Sequence, residues 1–301
     1  MVKQPFPYFG GKSLVAEEVW RRFGDVTNYV EPFCGGAGML LNRPGHHRNY
    51  TETINDAWAF VTNFWRATKY APDAVARWGD SPVNEIDLQA RHRWLLARTP
   101  DLERQMKADP DWFDPKAAGW WAFGQSLWIG EGWCVPPKRK TVGEVRLARP
   151  SLEGRGLART GSGGVLVRTR TAKAKSVERE IGVLADRLRR VNVLHGDWRR
   201  AVTKAVTTRF GDTGVFLDPP YTLESGRDMR LYAKDSGTVG HAVHQWAVEN
   251  GDDPLLKIAV CGYEGEYVWP AGWTSLAWKS QGGNKSNRKR ERIWFSPHCL
   301  V

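Results

Sequence analysis

Four consecutive residues have the types needed to hold a planar amino group: Asp218, Pro219, Pro220 and Tyr221. They follow the apolar run 215–217, which is typical of a buried strand, and open α/β sheets bind ligands at strand ends. The prolines stiffen the turn, so the Asp218 carboxylate and the Pro219 carbonyl can accept both hydrogens of an exocyclic amine. The nitrogen lone pair can then attack an electrophilic methyl group, and Tyr221 can stack on a base. The alternative is a chance tetrapeptide that closes a turn.

A glycine-rich turn lies in the first part of the chain, where residues 31–38 read Glu-Pro-Phe-Cys-Gly-Gly-Ala-Gly. Glycines let the backbone approach a nucleotide-like ligand closely. Asp56 follows Gly36 by 20 residues, the spacing at which a second strand end supplies a carboxylate to ribose hydroxyls. The turn alone is weak evidence, but together with Asp56 it predicts a site for such a ligand.

A third motif precedes both, because residues 8–12 read Tyr-Phe-Gly-Gly-Lys. Residues 11–13, Gly-Lys-Ser, resemble the end of a phosphate-binding loop, but that motif requires glycine where Phe6 stands. ATP and GTP are therefore disfavoured as ligands. An aromatic residue beside two glycines and a lysine suits a cofactor that carries an adenine ring and a carboxylate.

The elements that must position these motifs alternate between helices and strands. Helical spacing of apolar residues predicts helices at 12–23, from 39 onward, and at 56–69, 73–104 and 177–190. Short apolar runs predict strands at 28–33, 191–195, 215–217, 255–261, 273–279 and 292–295. This alternation predicts an α/β sheet, and the irregular stretch from Trp120 to about Lys175, rich in Trp, Gly and Arg, predicts an insertion.

Charge and composition indicate the class of partner. The 301 residues carry a formal net charge of +11, which predicts attraction to a polyanion. Basic residues concentrate at 146–175 and 285–292, although solvated loops give the same pattern. No apolar stretch suits a membrane span and no secretory signal is visible, so we expect a cytoplasmic protein. The isolated cysteines predict reduced, packed thiols, and His241 with His244 lacks a third metal ligand.

In their order and residues, the three motifs resemble the Dam-type family of adenine-N6 DNA methyltransferases, the D12 class or α-group, found in bacteria and bacteriophages. The resemblance implies S-adenosylmethionine as cofactor and an adenine of double-stranded DNA as substrate. It implies a Rossmann-like methyltransferase sheet with an inserted, mainly helical and irregular target-recognition domain. Residues 1–66 and 185–301 would form the catalytic domain, and residues 67–184 the insertion.

The resemblance also implies roles for individual residues. The implied cofactor-binding residues are Tyr8, Gly10, Gly11, Lys12, Glu31, Phe33, Gly35, Gly36, Asp56, Asp197 and Asp218. Asp197 matches the position near the adenine ring of the cofactor, and Asp218 would touch both cofactor and target. The implied DNA-binding residues, which follow the Ser-Gln-Gly-Gly-Asn loop at 280–284, are Lys285, Arg288, Lys289 and Arg290. A monomer without metal is implied, and the presence of a cognate restriction endonuclease stays open.

One residue departs from the family pattern, and several other activities stay open. Aligned without gaps, the second glycine of the family's glycine-rich motif falls at Ala37. The same tetrapeptide chemistry serves cytosine-N4, an RNA amine or a protein amide, although cytosine enzymes more often carry Ser at the position of Asp218. A catalytically degenerate DNA-binding protein is the alternative from a different class. A nicotinamide-dependent dehydrogenase is disfavoured, because nothing in the sequence supplies hydride chemistry.

Overall fold

The computed structural model describes residues 4–8, 10–45, 50–81, 83–128, 133–135, 175–220, 238–278 and 290–300. The chain divides into two compact units. Unit 1 comprises Met1, Phe9–Ala57 and Arg190–Val301, and unit 2 comprises Val2–Tyr8 and Trp58–Arg189.

Strands and helices follow one another along the described residues. The strands are β1 Asn28–Glu31, β2 Thr51–Asp56, β3 Val191–His195, β4 Thr213–Leu217, β5 Leu256–Tyr263, β6 Thr274–Ala277 and β7 Glu291–Phe295. The helices are α1 Ala16–Phe23, α2 Gly38–Leu41, α3 Ala59–Tyr70, α4 Pro72–Gly79, α5 Glu85–Ala108, α6 Pro115–Leu127, α7 Lys175–Leu188 and α8 Val239–Asn250. The expected domain boundary at 66/67 lies inside α3, whereas the long segment of unit 2 begins at Trp58.

All seven strands belong to one sheet in unit 1, in the order β3-β2-β1-β4-β5-β7-β6. The first five strands in this order pair in parallel, and β7 pairs antiparallel with both β5 and β6. The strands β1 and β4 are buried along their whole length, as the central strands of a sheet covered on both faces should be. The predicted α/β class is confirmed, and the mostly parallel sheet is consistent with a Rossmann-like methyltransferase fold.

Helix α1 packs against the sheet through aromatic side chains. The rings of Trp20 and Tyr29 lie 4.6 Å apart, and the ring of Phe23 lies against Gly214 of β4. The helix ends at Gly24, where φ is +64°, and the Gly24 amide donates to the Trp20 carbonyl at 2.9 Å. A second apolar cluster in unit 1 joins α8 and residues 198–202 to β1, β4 and β5.

Unit 2 is built from α3 to α7 around an aromatic core. The ring of Phe6 lies 5.0 Å from Phe64 and 4.9 Å from Trp121. Asn63 fixes the start of α6, since its side chain donates to the Asp114 carbonyl at 2.9 Å and accepts from the Asp114 amide at 2.7 Å. Asp114 in turn caps the Ala117 amide at 3.0 Å.

The helical segment expected at 73–104 is confirmed and consists of two helices, because Asn84 caps a new one by accepting from the Asp87 amide at 2.8 Å. Pro115 occupies the first turn of α6, where proline's missing amide costs nothing. Trp120 is therefore helical, and the part of the expected insertion at 136–174 lies outside the described residues.

Candidate active site

The strand order reverses between β1 and β4, which makes this point of the sheet the expected ligand site. Chain segments leaving the carboxyl ends of β1 to β4 meet at the same edge because these strands are parallel. Asp56 is the last residue of β2, Asp197 follows β3 by two residues, and Asp218 directly follows β4. Phe33 and Gly35 lie just beyond the end of β1. This edge of the sheet thus brings together the carboxylates of Asp56, Asp197 and Asp218.

A buried ion pair joins the first motif to the last. The Lys12 ammonium donates to Asp218 Oδ2 at 2.6 Å and to the Gly10 carbonyl at 2.8 Å. It also lies 5.3 Å from the centre of the Trp278 ring. The Lys12 side chain is 4% exposed and the Asp218 side chain 21%. The pair brings together residues that lie 206 positions apart in the chain.

The charge of Lys12 is stable in this environment. Burial lowers the pKa of Lys12, but the negative charge of Asp218 and, to a smaller extent, of Glu291 raises it more, so the pKa lies above its ordinary value. Lys12 is therefore a cation in contact with the Asp218 carboxyl. The arrangement therefore supplies a carboxylate that can accept hydrogen bonds from an amine.

Side chains at the end of β2 fix the neighbouring turns. Asp56 Oδ2 accepts from the Gly35 amide at 3.0 Å. The Asn55 amide group donates to the Pro32 carbonyl at 2.9 Å and to the Gly196 carbonyl at 3.1 Å. One side chain of β2 is thus bonded to the segments that follow β1 and β3. These bonds preorganise the part of the edge where a ribose is expected.

Ala37 occupies a backbone conformation that normally selects glycine. Its φ and ψ are 50° and 38°, in the left-handed region, and its amide donates to the Cys34 carbonyl at 2.6 Å. A left-handed conformation costs a residue with a Cβ about 1–2 kcal/mol. The structure therefore accounts for a glycine at this position of the family motif and shows that the turn is retained with alanine.

Glu31 points into the fold and supports the same turn. Its Oε2 accepts from the Tyr29 hydroxyl at 3.0 Å and from the Leu40 amide at 3.1 Å. Burial raises the pKa of Glu31 to about 8, against the lowering effect of these hydrogen bonds, and the charge of Asp218 adds to the rise. Glu31 is therefore largely protonated at neutral pH. A role in cofactor binding stays a prediction for this side chain.

The other predicted cofactor residues of unit 1 lie along the same edge or next to it. Phe33 is half-buried, with its ring 6.0 Å from Trp198. Asp197 is exposed and caps the 3₁₀ turn Trp198–Arg200 by accepting from the Arg199 amide at 2.8 Å. Gly36 is buried and Gly11 is half-buried.

Some of the remaining predicted site residues lie among the described residues and others lie outside them. Pro219 is buried and Pro220 half-buried. Tyr8 belongs to unit 2, where its ring lies 6.2 Å from Phe6. Arg290 is exposed, with its guanidinium 5.5 Å from the Tyr263 ring. The predicted residues that lie outside the described ones are Tyr221, Lys285, Arg288 and Lys289.

Sequence reasoning missed three residues of this region. Asn55 could have been noticed, because it precedes Asp56 at the same strand end. Cys261 lies near the carboxyl end of β5, and its interaction with Asp218 contributes to the raised pKa of its thiol. The Trp278 ring lies against the Lys12 ammonium. Neither belongs to a motif, and only the pairing of distant strands brings them to the site.

Comparison with known families agrees with the two motifs nearest the start of the chain. Residues 8–80 match the model of the D12 class N6 adenine-specific DNA methyltransferases. The resemblance inferred from the sequence is confirmed for this segment, which holds two of the three motifs. The match to the D12 class supports methylation of DNA adenine as the general activity and DNA as the substrate, and enzymes of this class generally use S-adenosylmethionine. No curated protein matches the chain.

The described residues contain neither a membrane-spanning helix nor a cluster of metal ligands. None of their helices combines the length and the apolar character needed to span a membrane. No group of three or more His, Cys, Asp or Glu side chains among them could hold a metal ion. His241 and His244 share α8, as their spacing predicts, and the rings of both pack on Tyr267.

Proposed function

We propose that the chain is a site-specific adenine DNA methyltransferase that transfers a methyl group from S-adenosylmethionine to N6 of an adenine flipped out of duplex DNA. The observation that carries the proposal is the 2.6 Å ion pair between Lys12 and Asp218 at the point where the strand order reverses. It unites the first motif with the Asp-Pro-Pro-Tyr motif, which lies outside the segment matched by the family model.

The side chains at the strand ends match the chemical groups of the cofactor. Asp56 and Asp197 are acceptors for ribose hydroxyls and an adenine amine, and Asp218 is an acceptor for an ammonium group. Lys12 is a buried cation suited to a carboxylate. The residues present therefore fit S-adenosylmethionine. When bound, this cofactor supplies an electrophilic methyl group carried on a positively charged sulfur.

The chain's own part in the reaction is to hold the amine. Asp218 accepts one N6 hydrogen and the Pro219 carbonyl accepts the other, so the nitrogen lone pair is directed away from the adenine ring system. Lys12 limits the rotation of the Asp218 side chain through its hydrogen bond to Oδ2. The rigid Pro219–Pro220 turn adds positional catalysis, which can supply several kcal/mol of the barrier. Tyr221 stacks on the extruded base in this proposal.

Binding of DNA rests on the basic segments of the sequence. Residues 136–174 contain ten Lys and Arg against two Asp and Glu, and Lys285, Arg288, Lys289 and Arg290 form the second basic run. Neutralisation of phosphates by these residues makes binding strongly dependent on salt. We assign target recognition to residues 67–184 and catalysis to the flanking segments 1–66 and 185–301, in a monomer. A restriction endonuclease gene next to the gene for this chain would add a restriction enzyme as its partner.

The decisive experiment is transfer of labelled methyl from S-adenosylmethionine to unmethylated duplex DNA, followed by separation of the nucleosides by mass. N6-methyladenine is the expected product, and sequencing the modified DNA gives the recognition site. If the product is N4-methylcytosine, the proposed methyl transfer to DNA is correct but adenine is not the target base. Cofactor binding without transfer to DNA would overturn the substrate, and RNA and protein amides would then be assayed. Binding of DNA without binding of the cofactor would indicate a catalytically degenerate protein.

A further inference from the structure

The surroundings of Asp218 include a residue that no motif contains. Strands β4 and β5 are parallel with Leu217 opposite Val260, so the next residues, Asp218 and Cys261, are neighbours at the carboxyl ends of these strands. Residues paired in this way point to the same face of a sheet, with the strands about 4.8 Å apart. Cys261 is fully buried, and its interaction with Asp218 is one of the causes that raise the pKa of its thiol, as a hydrogen bond between the two side chains would. The register of the sheet thus places a thiol against the proposed catalytic carboxylate.

The direction of this hydrogen bond follows from the environment of the thiol. Burial raises the pKa of Cys261 well above its ordinary value, and the negative charge of Asp218 adds to the rise. Cys261 therefore keeps its proton and donates to the carboxylate, which can only accept when ionised. Lys12 donates to Asp218 Oδ2 as well.

Another buried cysteine of unit 1 shows what an ordinary packed thiol does. Cys299 is 8% exposed, and its Sγ lies 3.7 Å from the Ile258 carbonyl and 3.7 Å from the Ser296 hydroxyl. Its partners are a backbone group and a neighbouring hydroxyl, and none of them belongs to the proposed site. Cys261 differs in having the proposed catalytic group as its partner.

We propose that Cys261 is a positioning residue for methyl transfer: its thiol, together with the Lys12 ammonium, fixes the orientation in which Asp218 accepts the target amine. This inference rests on the proposed function. Without the thiol, Asp218 loses one of the contacts that hold it and samples orientations in which the amine is misaligned. The ion pair with Lys12 remains and keeps Asp218 at the cofactor site, so the loss falls on kcat more than on affinity for S-adenosylmethionine.

The test compares variants that remove the donor with one that keeps it. Cys261→Ala and Cys261→Val lack a donor at two different volumes, and Cys261→Ser retains an O–H. Cys299→Ala is the matched control, because it removes a buried thiol of the same unit away from Asp218. We expect both donor-free variants to lower kcat about tenfold with an unchanged dissociation constant for S-adenosylmethionine, and Cys261→Ser to restore kcat to within about threefold of the wild type.

A second measurement reports on the contact between the Cys261 thiol and the Asp218 carboxyl group and does not require catalytic activity. The carbon chemical shift of the Asp218 carboxyl group should change in Cys261→Val or Cys261→Ala, should change less in Cys261→Ser, and should stay unchanged in Cys299→Ala. If the donor-free variants lose thermal stability as Cys299→Ala does while kcat and the chemical shift stay at wild-type values, Cys261 only packs and the inference is wrong. An inactive wild-type protein would overturn the proposed function instead, and the chemical shifts would still decide the role of the thiol.

Discussion

Replacement of Glu31 by Gln should increase the stability of the protein at alkaline pH. Glu31 is 3% exposed, and burial raises the pKa of its carboxyl from 4.5 to about 8. Below pH 4.5 the side chain is protonated in both the folded and the unfolded chain, so it adds no pH dependence. Between pH 4.5 and 8 the unfolded chain loses this proton while the folded chain keeps it, so the free energy of unfolding falls as pH rises.

The size of this effect follows from the shift. One pKa unit corresponds to about 1.4 kcal/mol, so the buried carboxyl of Glu31 lowers the free energy of unfolding by about 3 kcal/mol at pH 7 and by about 5 kcal/mol well above pH 8. Glutamine stays neutral and its carbonyl can still accept from the Leu40 amide, which now bonds Glu31 at 3.1 Å. Its extra N–H group costs about 1–3 kcal/mol if it finds no partner. A net gain of about 2–4 kcal/mol is expected above pH 8.

A second buried glutamate provides the matched control. Glu52 is also buried, but it forms an ion pair with Arg43 at 3.2 Å, and both side chains are at most 3% exposed. Glu52→Gln leaves the Arg43 charge without its partner, which should cost about 3–5 kcal/mol. The same chemical change thus stabilises at one site and destabilises at the other.

Urea denaturation of the wild type and both variants at pH 5 and pH 8 measures these effects. The difference between Glu31→Gln and the wild type should grow by several kcal/mol from the lower to the higher pH. A constant difference would show that Glu31 is ionised throughout this range and would refute the reasoning. A gain in stability for Glu52→Gln would show that the ion pair with Arg43 is not the cause of the contrast.

The remaining predictions concern the site directly. Asp218→Ala should abolish methyl transfer and leave DNA affinity within about twofold; transfer that persists in a labelled-methyl assay would remove Asp218 from the catalytic role. Lys12→Met breaks a buried ion pair and should cost about 3 kcal/mol in urea denaturation, with a loss of cofactor affinity seen by calorimetry; unchanged values of both would contradict the role of Lys12. Ala37→Gly should stay within about 1 kcal/mol of the wild type, since relief of backbone strain offsets chain entropy, whereas Ala37→Val should lose about 2 kcal/mol or more. Equal stability of these two variants would speak against the left-handed turn.

The sequence could predict the strand ends, because each motif is a local pattern. The strand Val191–His195 has its predicted bounds, and the ends of β2 and β4 carry Asp56 and Asp218 as expected. Helix α1 was expected from Lys12 but begins at Ala16. Residues 13–15 form a turn in which the Val15 amide donates to the Lys12 carbonyl at 3.1 Å.

Other features depended on contacts between distant parts of the chain. The neighbours of β1 are β2 and β4, and the register between β4 and β5 decides that Cys261 lies beside Asp218. Periodicity gives the faces of an element but not the partner that each face meets. The protonated state of Glu31 was unpredictable for the same reason, since a carboxyl in a turn motif normally suggests a charged ligand contact and only burial reverses this.

The separation of Lys12 from Asp218 has a consequence for the order of events during synthesis. Chains grow at about 5–20 residues per second, so Lys12 exists for about 10–40 s before its anion has been made. During that time β1 lacks β4 and β2 lacks β3, and burial of Lys12 would place an uncompensated charge in an unfinished sheet. Its segment must therefore stay open until residues beyond 218 emerge. The candidate site is therefore completed late in synthesis, and a chain released before β4 lacks Asp218 and cannot form the ion pair with Lys12.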